Sequence, residues 1–200
     1  MPPEALAKEP AAVFVGRYIG WILVVPGAIA LIAAVTLMVE KVRMLEDPTR
    51  VPSCTIDAVL ACGAVMNSNQ AEAFGIPNPL LGIAGFAALV AFGTAILGGS
   101  DFPRWLWLAI QAGVTFAVLF VHWLVFQSVY RIESLCPYCM VVWVMTITAF
   151  IYVTAHNIAE ARLPAARFVV RYHGVILTAW LTILTLVIGE AFWDHWRSKL

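Results

Sequence analysis

Five runs of about twenty apolar residues leave this chain few folds to adopt. They cover residues 18–39, 78–97, 104–126, 136–155 and 173–192. As a helix, a run of that length extends about 30 Å, the thickness of a bilayer's hydrocarbon core. Lipid offers no partner to a backbone N–H or C=O, so each run has to satisfy its own as a helix. The expected fold is an all-α integral membrane protein with five transmembrane helices. The first run, at 22 residues, exceeds the apolar core of a signal peptide and reads as a membrane anchor.

Composition agrees with that class. Of 200 residues, 62% are hydrophobic and 12% charged, and the net charge is zero. No basic run interleaved with aromatics exists, which excludes nucleic acid as a partner. Residues 1–16 read as a disordered tail, and residues 17–200 as one transmembrane domain with a polar cysteine loop at 40–77. Links at 98–103, 127–135 and 156–172 are too short for a second domain.

The four cysteines form two pairs. Cys136-Pro137-Tyr138-Cys139 opens the fourth run. Pro137 suits the first helical position, where its missing N–H costs nothing, which puts Cys136 at the cap and Cys139 in the first turn. The positive end of the helix stabilises a thiolate at the cap and so favours Cys136 as a nucleophile. Cys54 and Cys62, with seven residues between them, lie in the polar loop. Ser53 reads as the cap of a short helix with an Ile56, Val59 and Leu60 face. An unbroken helix would hold the pair about 12 Å apart, beyond the roughly 7 Å that a disulfide allows. The pair then either never bonds or its segment bends.

Two crossings separate the loop from Cys136, so both pairs belong on one side of the membrane. Lys and Arg divide equally between the sides, but Arg162, Arg167 and Arg171 cluster in one link. That cluster, and an even cysteine set suited to an oxidising compartment, put the N-terminus in the cytoplasm and the cysteines outside. Three chemistries fit the cysteines: a four-thiolate metal site, two structural disulfides, or a thiol–disulfide relay. The relay fits best, because the helix-cap pair lies where a lipid-soluble electron acceptor reaches it. His122, inside a span, reads as a neutral imidazole bonded to a neighbouring helix rather than a proton relay.

The chain from about residue 17 to 155 resembles the vitamin K epoxide reductase family. The resemblance rests on the two loop cysteines, on Val65-Met66-Asn67-Ser68, on Phe74-Gly75-Ile76-Pro77-Asn78-Pro79-Leu80-Leu81-Gly82, and on Cys136-Pro137-Tyr138-Cys139 opening a helix. It implies a four-helix bundle around a quinone site with one peripheral helix, in the bacterial inner membrane. The implied activity is oxidation of a thioredoxin-like, DsbA-like partner, with electrons passed to menaquinone or ubiquinone and no metal. With the chain ending at Leu200, that partner is expected as a separate protein. Cys54 would exchange with the partner, Cys62 would attack Cys136, and Cys139 would face the quinone.

In the same comparison Ser68 matches a serine near the active pair and Asn78 a quinone-bonding asparagine, although Asn78 before Pro79 also reads as an ordinary helix cap. Trp143 stands where other members have a tyrosine, and an indole donates a hydrogen bond but accepts none. The competing readings are a four-span thiol oxidase, which the fifth span disfavours, and a non-catalytic scaffold or transporter with structural disulfides.

Overall fold

The computed structural model describes residues 10–161 and 166–197, and these are almost entirely helical. The long helices are α1 (Pro10–Glu46), α3 (Asn78–Leu97), α4 (Arg104–Gln127), α5 (Pro137–Ala161) and α6 (Ala166–Ala191). Two short helices complete the fold: α2 (Cys62–Met66) in the cysteine loop and α7 (Trp193–Arg197) after the last span. The five long helices are each apolar and long enough to cross a membrane. Side chains such as Ile32, Leu119, Ile183 and Leu186 stand more than half exposed on their outer faces, as lipid contact requires. The chain is a membrane protein.

Helix α1 is the spine of the bundle and packs along both α3 and α5. α4 and α6 pack on the other sides of α5. The α1–α3 seam is made of small residues. A Cβ on Gly93 would lie 3.0 Å from the Gly20 carbonyl oxygen and 2.9 Å from Val24, and one on Gly82 would lie 3.2 Å from Ala34. Lipid competes equally for apolar side chains, so such seams hold by close van der Waals packing. Gly93→Leu is therefore expected to destabilise the fold by about 1–3 kcal/mol through overpacking. Gly174→Ala, where a Cβ meets nothing within 4 Å among the described residues, should be neutral or stabilising. Thermal unfolding in detergent distinguishes the two.

Several boundaries differ from the expected ones. α1 begins at Pro10, inside the stretch read as a tail, because Val15 and Ile19 are buried in the bundle core; residues 1–9 lie outside the described residues. α1 also runs on to Glu46, so the loop starts at residue 47 rather than 40. α5 continues to Ala161 through the expected 156–172 link because Asn157 is buried there. Its side-chain amide donates to Gln111 Oε1 at 3.1 Å and to the Trp107 carbonyl at 3.3 Å, tying α5 to α4. The link is left with residues 162–165, outside the described residues.

Several polar groups inside the spans bridge neighbouring helices. His122 Nδ1 lies 2.7 Å from the Val118 carbonyl, and Nε2 accepts from Trp180 Nε1–H at 2.9 Å. An indole only donates, so Nε2 is the bare nitrogen and Nδ1 carries the proton. His122 is a neutral bridge between α4 and α6.

Candidate active site

The cysteine loop, residues 47–77, folds back over the mouth of the bundle. The expected Ser53 helix is absent. Instead the chain from Cys54 to Cys62 makes a tight turn closed by the Ile56 N–H to the Leu60 carbonyl at 2.8 Å. Asp57 causes it: Oδ1 accepts from the N–H groups of Val59 and Leu60 at 2.9 and 2.8 Å, the donors a helix would have used. Asp57 also meets His195 of α7 at 3.6 Å. Glu72 pairs with Lys41 at 3.2 Å. Reversing the chain brings the Cα atoms of Cys54 and Cys62 to 5.7 Å, and the two are joined in a disulfide.

Two backbone hydrogen bonds lock this turn to the second pair. Leu135 N–H donates to the Val59 carbonyl at 2.7 Å, and Ala61 N–H donates to the Leu135 carbonyl at 3.0 Å. α4 prepares Leu135 by ending in a π-helical turn, Ser128–Ile132, and then Glu133 in the left-handed region at φ 54°. A non-glycine residue there costs about 1 kcal/mol, held in place by the surrounding bonds. The next residue in each strand is a cysteine, Cys62 after Ala61 and Cys136 after Leu135, so the lock sets the sulfurs side by side.

The Cys62 and Cys136 sulfurs are 3.2 Å apart. Cys62 is in a disulfide, so the hydrogen between them belongs to Cys136. Both residues are fully buried, and Cys54 is 6% exposed. This contact places both pairs on one face of the membrane, as the span count requires. α5 begins at Pro137 with Cys136 ahead of it, and the Met140 N–H donates to the Cys136 carbonyl at 3.0 Å. Just outside the span Pro137–Ala159, the Cys136 thiol is held below the ordinary thiol range. The hydrogen bond with the Cys139 side chain contributes most; burial opposes it, and the Cys139 and Tyr138 N–H groups of the first helical turn add to it. Cys136 and Cys139 are both free thiols.

Cys139, one turn deeper, borders a cavity of about 450 Å³ between α1, α3, α4 and α5. Ser68, Asn78 and Trp143 all line it, together with Phe86, Val114 and Phe120. The wall is overwhelmingly apolar with a few polar groups near the cysteines, which fits a lipid-soluble ring carrying polar oxygens. Asn78 does not cap α3, because no side-chain hydrogen bond closes that helix start. Its Oδ1 accepts from the Ala73 N–H at 3.2 Å and its Nδ2 donates to the Gln70 carbonyl at 2.7 Å. Asn78 thereby holds the 3-10 helix Asn69–Glu72 against the cavity. Ser68 donates to the Val65 carbonyl at 2.7 Å, and Trp143 is 2% exposed.

Sequence reading missed Lys41, which donates to the Met66 carbonyl at 2.9 Å and pairs with Glu72, pinning the loop to α1. It also missed the buried Glu40, whose position at the end of an apolar run gives no sign of burial. Among the described residues no cluster of three or more His, Cys, Asp or Glu side chains could hold a metal ion.

All seven residues singled out in the sequence thus meet at one end of the bundle, four as sulfurs in sequence and three around the cavity behind them. Residues 21–154, well over half of the chain, match the Vitamin K epoxide reductase family. That family comprises membrane redox enzymes acting on quinones and disulfides. On this match, the chain belongs to the vitamin K epoxide reductase family.

Proposed function

We propose that the protein oxidises a thioredoxin-like partner outside the cytoplasm and passes the electrons through its two cysteine pairs to a quinone in the membrane. One observation carries the reading: the Cys62 sulfur lies 3.2 Å from that of Cys136, while Cys139 behind it borders the apolar cavity. The four sulfurs form a line from the loop to the membrane interior.

The steps follow from that line. A partner thiolate attacks Cys54, the Cys54–Cys62 bond breaks, and Cys62 leaves with the electron pair. Cys62 then attacks Cys136 in a Cys136–Cys139 disulfide and expels Cys139 as thiolate into the cavity. The partner's second thiolate releases Cys54, which attacks Cys62, restores the outer disulfide and leaves Cys136 and Cys139 reduced. The pairing in the structure, outer disulfide and inner thiols, corresponds to that point of the cycle. A bound quinone, menaquinone or ubiquinone, accepts the two electrons and two protons of the inner pair. Asn78 and Ser68 are the polar groups to hold it, Trp143 shapes its wall, and the apolar lining excludes water.

The test uses purified protein with reduced thioredoxin and a short-chain quinone. The wild type is expected to form quinol as thioredoxin thiols disappear, at one quinol per disulfide. A Cys54→Ala, Cys62→Ala variant should lose oxidation of thioredoxin yet still oxidise dithiothreitol, which is small enough to reach the inner pair. Full thioredoxin oxidation by that variant would overturn the order of the relay. For sidedness, an alkaline phosphatase fused after Leu200 should be active, since five spans from a cytoplasmic start end outside.

A further inference from the structure

Glu40 lies six residues before the C-terminal end of α1. Its side chain is only 4% exposed. Oε1 accepts from the Ser53 hydroxyl at 3.2 Å and from the Arg43 guanidinium at 3.1 Å. Oε2 is buried and has no hydrogen-bond partner among the described residues. A buried acceptor left without a partner weakens a fold, so its presence calls for a reason.

The surroundings supply one. Ser53 is the residue next to Cys54. Leu37, three residues before Glu40 and on the same face of α1, packs in one buried cluster with Cys54, Cys62 and Cys136. The carboxylate is thus held beside the segment that carries the outermost sulfur. Arg43 occupies Oε1 from the same helix, and Lys41 is turned away to Glu72 and the Met66 carbonyl. From the loop, Ser53 faces it, and Cys54 is the next residue in the chain. Oε2 is the oxygen left open to a proton.

We propose that Glu40 takes the proton of Cys54 when the outer disulfide re-forms, a role that rests on the relay described above. Cys54 leaves the partner as a thiolate, takes a proton from water at pH 7, below the ordinary thiol pKa of about 8.5, and so enters this step as a thiol whose sulfur attacks Cys62 in the Cys62–Cys136 disulfide. The Cys54–Cys62 bond forms, and the Cys62–Cys136 bond breaks with its electron pair left on Cys136. The Cys54 proton goes to Oε2 of Glu40 and from there to water. The exchange is between sulfurs, and no outside oxidant or reductant takes part.

Glu40→Gln tests this, because glutamine keeps the shape and an acceptor for Ser53 but takes up no proton. In the full chain, with reduced thioredoxin and a short-chain quinone at pH 7, turnover is expected to fall about 10²-fold. A Cys62–Cys136 disulfide should accumulate, identified by peptide mapping after alkylation. The residual rate should climb about tenfold per pH unit toward the ordinary thiol pKa of about 8.5, where Cys54 ionises unaided. The wild type should stay flat over that range, and Glu40→Asp should recover the flat profile.

Wild-type turnover in Glu40→Gln would overturn the proposal. So would an equal loss at every pH without the trapped disulfide, since that marks a merely structural role. A quinone-free arm separates this result from failure of the relay reading. Protein that has been fully reduced and then given one equivalent of diamide should resolve to Cys54–Cys62 in the wild type. The Gln variant should lag at Cys62–Cys136, and equal speed in the two would sink the proposal whether or not quinone is the acceptor.

Discussion

Cys139→Ala is expected to abolish quinol formation, to below about 10⁻³ of the wild-type rate, with no loss of fold. The side chain is small and only half-buried at the cavity wall, so alanine removes a sulfur without opening a large void. Without it the inner pair has no disulfide for Cys62 to attack, and no sulfur faces the acceptor. The outer pair still exchanges: one equivalent of reduced thioredoxin should be oxidised in a single burst, after which the reaction stops. Quench-flow with thiol counting reads both numbers. Continued quinol production in this variant would remove the inner pair from the path. Serine at the same position should be equally inactive, because the defect lies in the missing sulfur and not in the missing volume.

The second large effect concerns Cys62→Ser. This variant has no outer disulfide, and Cys54 is left as a thiol that cannot resolve onto its neighbour. Turnover should again fall by about 10³-fold or more, but the residue left behind differs. Given an oxidised partner, Cys54 should capture it as a stable mixed disulfide, visible as a band shift removed by dithiothreitol. A Cys54→Ser variant should capture nothing through the loop. Because Cys54 is 6% exposed with the outer disulfide intact, capture should be faster in Cys62→Ser than attack on the closed wild-type turn. Equal capture by the two variants would place the partner-facing sulfur elsewhere.

The parts of this fold that sequence reveals are those fixed by local physics. Apolar length alone marks the spans, and Pro137 marks the start of α5 because a residue without an N–H fits only there. The same holds for the shared face of the two cysteine pairs, which follows from counting crossings. The turn at residues 54–62 is different. Ile56, Val59 and Leu60 have helical spacing, but Asp57 takes the two N–H groups a helix would need, and Leu135, far along the chain, supplies the remaining bonds. The Asp57 side chain was the available signal, since aspartate competes locally for backbone donors; the bonds to Leu135 left none.

Asn78 is a related case. Asn-Pro reads as a helix start, and α3 does begin there, yet the amide reaches back to residues 70 and 73 because the loop folds over it. Helix ends suffer likewise: buried Asn157 carries α5 past its apolar run because Gln111 on another helix receives it.

The backbone bonds between Leu135 and residues 59–61 carry one further consequence. They anchor Cys62 beside Cys136. A sulfur holds one disulfide bond at a time, so Cys62 faces either outward to Cys54 or inward to Cys136, like the arm of a two-position switch. In the relay proposed above, no unbroken covalent path then joins the aqueous thiols to the lipid, and each pair of electrons crosses as a separate parcel. Such a relay would insulate one pool from the other: a surplus of reductant outside would enter the membrane no faster than Cys62 changes partners.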